Sequence, residues 1–122
     1  MESTFKSNSA AYAFPGILPL VHVSFNHIKQ LVCDQYGISS ELLNSKTRKR
    51  EICEPRQICM FLGRRYLKMT LQECASSFSK DHATVLHSTR IVTNLYETNN
   101  EFRKTLQLVM QRIGIDHERF IF

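Results

Sequence analysis

The stretch Phe78 to Leu95, F-S-K-D-H-A-T-V-L-H-S-T-R-I-V-T-N-L, constrains this chain more than any other. Val85 and Val92, with Leu95 and Tyr96 one further turn along, recur at helical spacing and mark a single apolar stripe. Lys80, Asp81, His82 and Thr84 stand ahead of that stripe or off it, at the N-terminal end. A helix that buries its later turns and crowds hydrogen-bonding side chains at its start has the layout of a recognition helix. That is the end which helix-turn-helix proteins push into the major groove.

The flanking sequence predicts further helices. Ser24 N-caps one that runs to about Tyr36, with Ile28, Leu31, Val32 and Gln35 helically spaced and Gly37 as the stop. Ser39 or Ser40 caps a single turn holding Leu42 and Leu43. Ser45 to Ile52, S-K-T-R-K-R-E-I, has no apolar period and reads as an exposed basic loop, placed to reach the minor groove beside a helix-turn-helix. Pro55 suits a first helical position, where its missing N–H costs nothing, and opens a helix to about Lys68. Ile58, Cys59, Phe61, Leu62, Tyr66 and Leu67 are its apolar set. Thr70-Leu71-Gln72-Glu73 is a capping box for a short helix to about Phe78, and a tight turn at Ser79-Lys80 leads into the recognition helix, which ends near Asn99. Glu101 to Ile113 forms the last helix, with Phe102, Leu106, Val109, Met110 and Ile113 on one face and Gly114 as its stop.

No segment alternates as a strand should, so the expected fold class is all-α, with about five to six helices. Residues 1–21 read as a flexible arm, 22–114 as the domain and 115–122 as a short apolar tail. Its Phe120, Ile121 and Phe122 are expected to fold back on the domain, or to meet a second copy or another protein.

Charge narrows the partner. The formal net charge is +5, and Lys46 to Lys68 alone holds eight basic residues against Glu51 and Glu54, so the rest of the chain is close to neutral. A local excess of that size favours a polyanion, because phosphate neutralisation draws proteins to nucleic acid. Cys33, Cys53, Cys59 and Cys74 lack ligand spacing and read as small hydrophobes in a reducing cytosol, not zinc ligands or disulfides. Ile17 to Val23 is broken by Pro19 and His22, too short for a membrane span and unlike a signal peptide. The expected location is therefore the cytoplasm, on the nucleoid.

Several side chains admit two readings. Asp81 can accept from a cytosine amino group in the major groove, or N-cap the helix by accepting from the Thr84 amide. His82 is either a plain exposed residue or a ligand of a base or phosphate. His82 and His87 lie about 140° apart around a helix and cannot chelate one ion. His87 reads as half-buried or set against backbone, and no metal or other cofactor is expected.

The segment Lys80-Asp81-His82-Ala83-Thr84-Val85-Leu86-His87 resembles the signature G-G-R-D-H-T-T-V-L-H of the bacterial replication initiator DnaA, which marks the recognition helix of its C-terminal DNA-binding domain. Pro55-Arg56-Gln57 followed by Ile58-Cys59-Met60 resembles that domain's P-R-Q and apolar helix, and Gln57 to Phe78 matches without a gap. Leu42-Leu43 and the basic run match the segment before it, so the resemblance covers about residues 22 to 113. It implies a helix-turn-helix domain of the DnaA C-terminal, Trp-repressor-like type. No G-x-x-x-x-G-K-[ST] phosphate loop occurs in the chain, so the domain is expected to stand without the ATPase module and to bind no nucleotide.

The same resemblance implies roles residue by residue. Asp81, His82 and Thr84 contact DNA, and His87 belongs to the same motif. Arg48 enters the minor groove from the basic loop, with Lys46, Lys49 and Arg50 beside it. Arg56 and Gln57 lie near the DNA backbone, Arg64 meets a phosphate, and Leu71 and Gln72 offer backbone amides to another. Ala83 departs from the family's threonine and keeps only a methyl for a thymine methyl. Ser79-Lys80 stands for Gly-Gly-Arg, one residue shorter, and Lys80 is a point charge suited to phosphate more than to a base. The function expected is sequence-specific binding of double-stranded DNA, without catalysis, in the regulation of transcription or replication initiation. An adaptor that keeps the fold without specific DNA binding, and RNA binding through the basic loop, are the alternatives.

Overall fold

A computed structural model describes residues 23–115, and these form six helices with no strand among them. In order they are α1 (Phe25–Tyr36), α2 (Ser40–Leu43), α3 (Arg50–Arg65), α4 (Leu71–Ser77), α5 (His82–Thr98) and α6 (Asn100–Ile113). The expected arm and all of the apolar tail beyond Ile115 lie outside the described residues.

Local chemistry sets most boundaries. Ser24 and Ser39 cap α1 and α2 by accepting from the amides of His27 and Leu42. The capping box at α4 closes in both directions: Glu73 N donates to Thr70 Oγ1 (3.0 Å) and Thr70 N donates to Glu73 Oε1 (2.8 Å). Asn99 caps α6, and Arg103 reaches back across that junction to the carbonyls of Tyr96 (2.7 Å) and Glu97 (2.9 Å), which the end of α5 leaves bare. Gly37 and Gly114 end α1 and α6 in the left-handed region, where a residue without a Cβ is at ease.

The main correction concerns α3. It begins at Arg50, not Pro55, so the loop is shorter than its polar sequence suggests and Arg50 to Ile52 are helical. Lys49 offers its carbonyl to the amides of Ile52 (3.0 Å) and Cys53 (2.9 Å), and Ile52 is buried, which rewards the extra turn. Pro55 lies in the second turn, where the carbonyl deprived of its N–H belongs to exposed Glu51. The helix also stops at Arg65, short of Lys68, whose positive φ of 59° turns the chain toward α4.

Helix α3 is the hub. It packs against α1, α2, α4 and α5, and Ile52, Pro55, Arg56 and the run Ile58 to Gly63 are all buried. An amphipathic stripe could not explain that much burial; a helix surrounded by neighbours does. Gly63 marks the closest approach, since a Cβ there would come within 2.9 Å of the Phe25 ring and 3.0 Å of Cys74 Sγ. On the far side α6 buries Phe102, Leu106, Val109, Met110 and Ile113 against α1 and α5, the face its periodicity predicts. The phenol of Tyr36 donates to Glu54 Oε2 (2.6 Å), tying α1 to α3, and its burial together with that carboxylate pushes its pKa far up. Among the described residues no helix is long and apolar enough to cross a membrane.

Candidate nucleic-acid interface

The pair α4 and α5 with the turn between them forms the helix-turn-helix. Two backbone bonds shape the turn: Lys80 N donates to Ala75 O (2.9 Å) and Ser79 N to Ser76 O (3.2 Å). This is a Schellman closure, and it requires its central residue to be left-handed. Here that residue is Ser79, with φ of 54°. Asp81 then N-caps α5: its Oδ1 accepts from the Thr84 amide (2.9 Å) and from the Thr84 hydroxyl (2.7 Å). Those bonds, the hydroxyl first, hold the Asp81 carboxyl below its usual range. Asp81, His82 and Ala83 are exposed at the head of the helix, while Val85, Ser88 and Val92 are buried behind them.

Four parts of the chain converge on one groove of about 410 Å³. Its walls include Arg48 from the basic loop, Gln57 from α3, Lys80 from the turn, and Thr84 and His87 from α5. A shallower depression of about 580 Å³ adjoins it, walled by Gln72 and Ser76 of α4 and by Asp81, His82 and Ala83. Lys80 borders both, so the two form a continuous surface around one cation.

The other expected site residues are distributed as follows. Lys46, Lys49 and Arg50 are exposed but line neither cavity. Arg64 is half-buried and donates to the Met69 carbonyl (2.6 Å), and Leu71 is half-buried at the start of α4, both outside the two cavities. His87 is exposed on the groove wall, not half-buried, because its place on α5 turns it away from the stripe of Val85 and Val92. Arg56 is the larger surprise. It lines the groove too, yet it is only 4% exposed, and its guanidinium is occupied by backbone carbonyls.

The sequence reading missed Cys53, Met60 and Ser88, which also line the groove. Helical spacing carries a signal for them: Cys53, Gln57 and Met60 share a face of α3, and Thr84, His87 and Ser88 share one of α5. Nothing in one strand of sequence says that these two faces oppose each other. Among the described residues no cluster of three or more His, Cys, Asp or Glu is placed to hold a metal ion.

The family described as the bacterial DnaA protein helix-turn-helix matches residues 25–92. Among curated relatives, the chromosomal replication initiator protein DnaA of Flavobacterium psychrophilum is 37% identical over 94 residues, covering 76% of this chain and 20% of the relative. The protein of the same name from Desulfatibacillum aliphaticivorans is 36% identical over 86 residues, 70% of this chain and 19% of its own length. That of Synechococcus sp. is 35% identical over 94 residues, again 76% and 20%. The chain thus spans about one-fifth of the length of the relatives it matches. With more than half of its residues matched, and α4, the turn and α5 as far as Val92 inside the matched region, this chain belongs to the bacterial DnaA helix-turn-helix family.

Proposed function

We propose that this chain binds double-stranded DNA, with the head of α5 in the major groove and the basic loop of residues 46 to 50 against the adjacent minor groove. The observation that carries this reading is the convergence of Arg48, Gln57, Lys80, Thr84 and His87 on one groove from the loop, α3, the turn and α5. A loop in one DNA groove and a helix in the next must straddle a sugar–phosphate strand. A cationic channel between loop and helix suits that strand.

Sequence is read at the exposed head of α5. Asp81 Oδ1 caps the helix, and Oδ2 accepts from a base amino group such as that of cytosine. His82 and Thr84 add hydrogen bonds, and Ala83 offers its methyl to thymine. Lys80, Gln57, Arg64, His87 and the amides of Leu71 and Gln72 serve the phosphates, which position the duplex without reading it. No catalytic step, metal or nucleotide enters this reading. The role is that of a regulator of transcription or of replication initiation, acting on the nucleoid; the relatives' printed names favour replication.

Selection from a random duplex library, followed by affinity measured across salt concentrations, tests it. With roughly five to eight phosphate contacts, log K should fall against log salt with a slope of about −5 to −7. A slope near zero, or no duplex binding at low salt, would overturn DNA binding in favour of an adaptor that keeps only the fold.

A further inference from the structure

The basic run invites the assumption that every arginine near it touches DNA. Arg56, although it lines the groove, turns its guanidinium away from solvent. It is 4% exposed, and three of its nitrogens donate to three carbonyls: Nε to Leu43 (2.9 Å), Nη1 to Thr47 (3.1 Å) and Nη2 to Ser45 (2.9 Å). Leu43 is the last residue of α2, while Ser45 and Thr47 alternate with Lys46 and Arg48 along the loop. The carbonyls of the odd positions turn inward to the guanidinium, and the side chains of Lys46 and Arg48 between them are exposed.

The loop has little else to fix it. Apart from Lys29 Nζ, which donates to Asn44 Oδ1 (3.3 Å), its other hydrogen bonds among the described residues are local, among them Ser45 N and Oγ to Leu42 O (3.1 and 2.7 Å) and two long ones of 3.4 Å from the amides of Thr47 and Lys49. Ordering a chain segment with no regular structure costs conformational freedom at every residue it fixes. Charge-assisted bonds from a buried guanidinium can offset that cost, and only arginine offers donors in a planar fork wide enough to meet three separate carbonyls.

We infer that Arg56 is a positioning residue for DNA binding: it pins loop 44–49 to α3 so that Arg48 is presented to the groove, and it does not itself contact the duplex. This rests on the DNA-binding reading above, and the test separates the two. Affinity for a selected duplex is measured for the unaltered chain, Arg48→Ala, Arg56→Lys and the double variant. Arg48→Ala should weaken binding roughly 5- to 30-fold, as one groove contact does. Arg56→Lys, although it keeps the charge, should weaken binding by a similar factor, because lysine cannot hold three carbonyls. The double variant should bind within about two-fold of Arg56→Lys alone, as expected for two residues acting through one another.

Multiplicative losses, or lysine restoring near-normal affinity, would overturn the inference, since a phosphate contact accepts either cation. A readout on the unaltered chain stands even if Arg56→Lys folds poorly. By NMR, the Arg56 Nε proton should be protected from solvent exchange in the free protein and should keep its chemical shift when duplex is added, while that of Arg48 moves. A large Arg56 shift overturns the inference. If the unaltered chain binds no duplex at low salt, the failure belongs to the DNA-binding reading instead.

Discussion

On the proposed reading, a single carboxylate at Asp81 serves stability and recognition together. Its Oδ1 is committed to the amide and hydroxyl of Thr84, yet the residue stays exposed. Asp81→Asn separates the two roles. Asn keeps the cap but not the charge that the helix start favours, so the melting temperature should drop only slightly, while an NH2 group would replace Oδ2 and face a base donor with another donor. Duplex affinity should fall by roughly one to two orders of magnitude while the fold is kept; unchanged affinity would reduce Asp81 to a cap alone. The sign of its pH dependence follows from the lowered carboxyl. The cap is in full force above the unfolded-state value, about 3.9, and is lost as pH falls through the lower native one, which the Thr84 amide resonance should report. Cys53 supplies a second residue-level check. Cys33, Cys59 and Cys74 are buried, and burial pushes their thiols up, whereas Cys53 is half-exposed on the groove wall. A thiol reagent should modify Cys53 first, and bound duplex should slow that reaction. Equal rates with and without duplex would place the DNA elsewhere.

At the scale of elements, the turn between α4 and α5 decides where the head of α5 points. Its closure needs a left-handed residue, and Ser79 takes that conformation with φ of 54°. A side chain there is strained by about 1–2 kcal/mol, part of which glycine would give back as chain entropy. Ser79→Gly is therefore expected to stabilise the domain by about 0.5–1 kcal/mol in denaturant melts, with no loss of helix content. A destabilised variant would show that the serine side chain does more than tolerate the turn. The basic loop has the opposite character. It has no closure of its own and is held in place from outside, by the buried guanidinium of Arg56.

The described residues pack as helices around α3. Phe61, fully buried at the hub, has no part in the groove. Phe61→Ala should cost about 3–5 kcal/mol, a large share of the stability of a small domain. Thermal melts followed by circular dichroism should show the loss, and duplex affinity measured well below the lowered midpoint should remain near that of the unaltered chain. An affinity loss that persists in the folded variant would mean that the core, not only the surface, tunes the interface.

Much was legible before the structure. Ser24, Gly37, Thr70 with Glu73, Asp81 and Gly114 act through bonds to chain neighbours a turn away, so their roles as caps and stops are local and can be read in one dimension. The buried face of α6 follows for the same reason, since periodicity alone selects it. The start of α3 was not legible, because an uncapped, charged first turn is worth forming only when Ile52 finds a core to enter. Nor was Arg56, whose sequence neighbours say surface while its partners lie 9 to 13 residues away on a different segment. The groove itself depends on how the loop, α3 and α5 meet. Local hydrogen bonds and periodicity are set by residues near in the chain, while burial and the opposition of two helix faces arise only when distant segments pack, and that is where this protein's groove was decided.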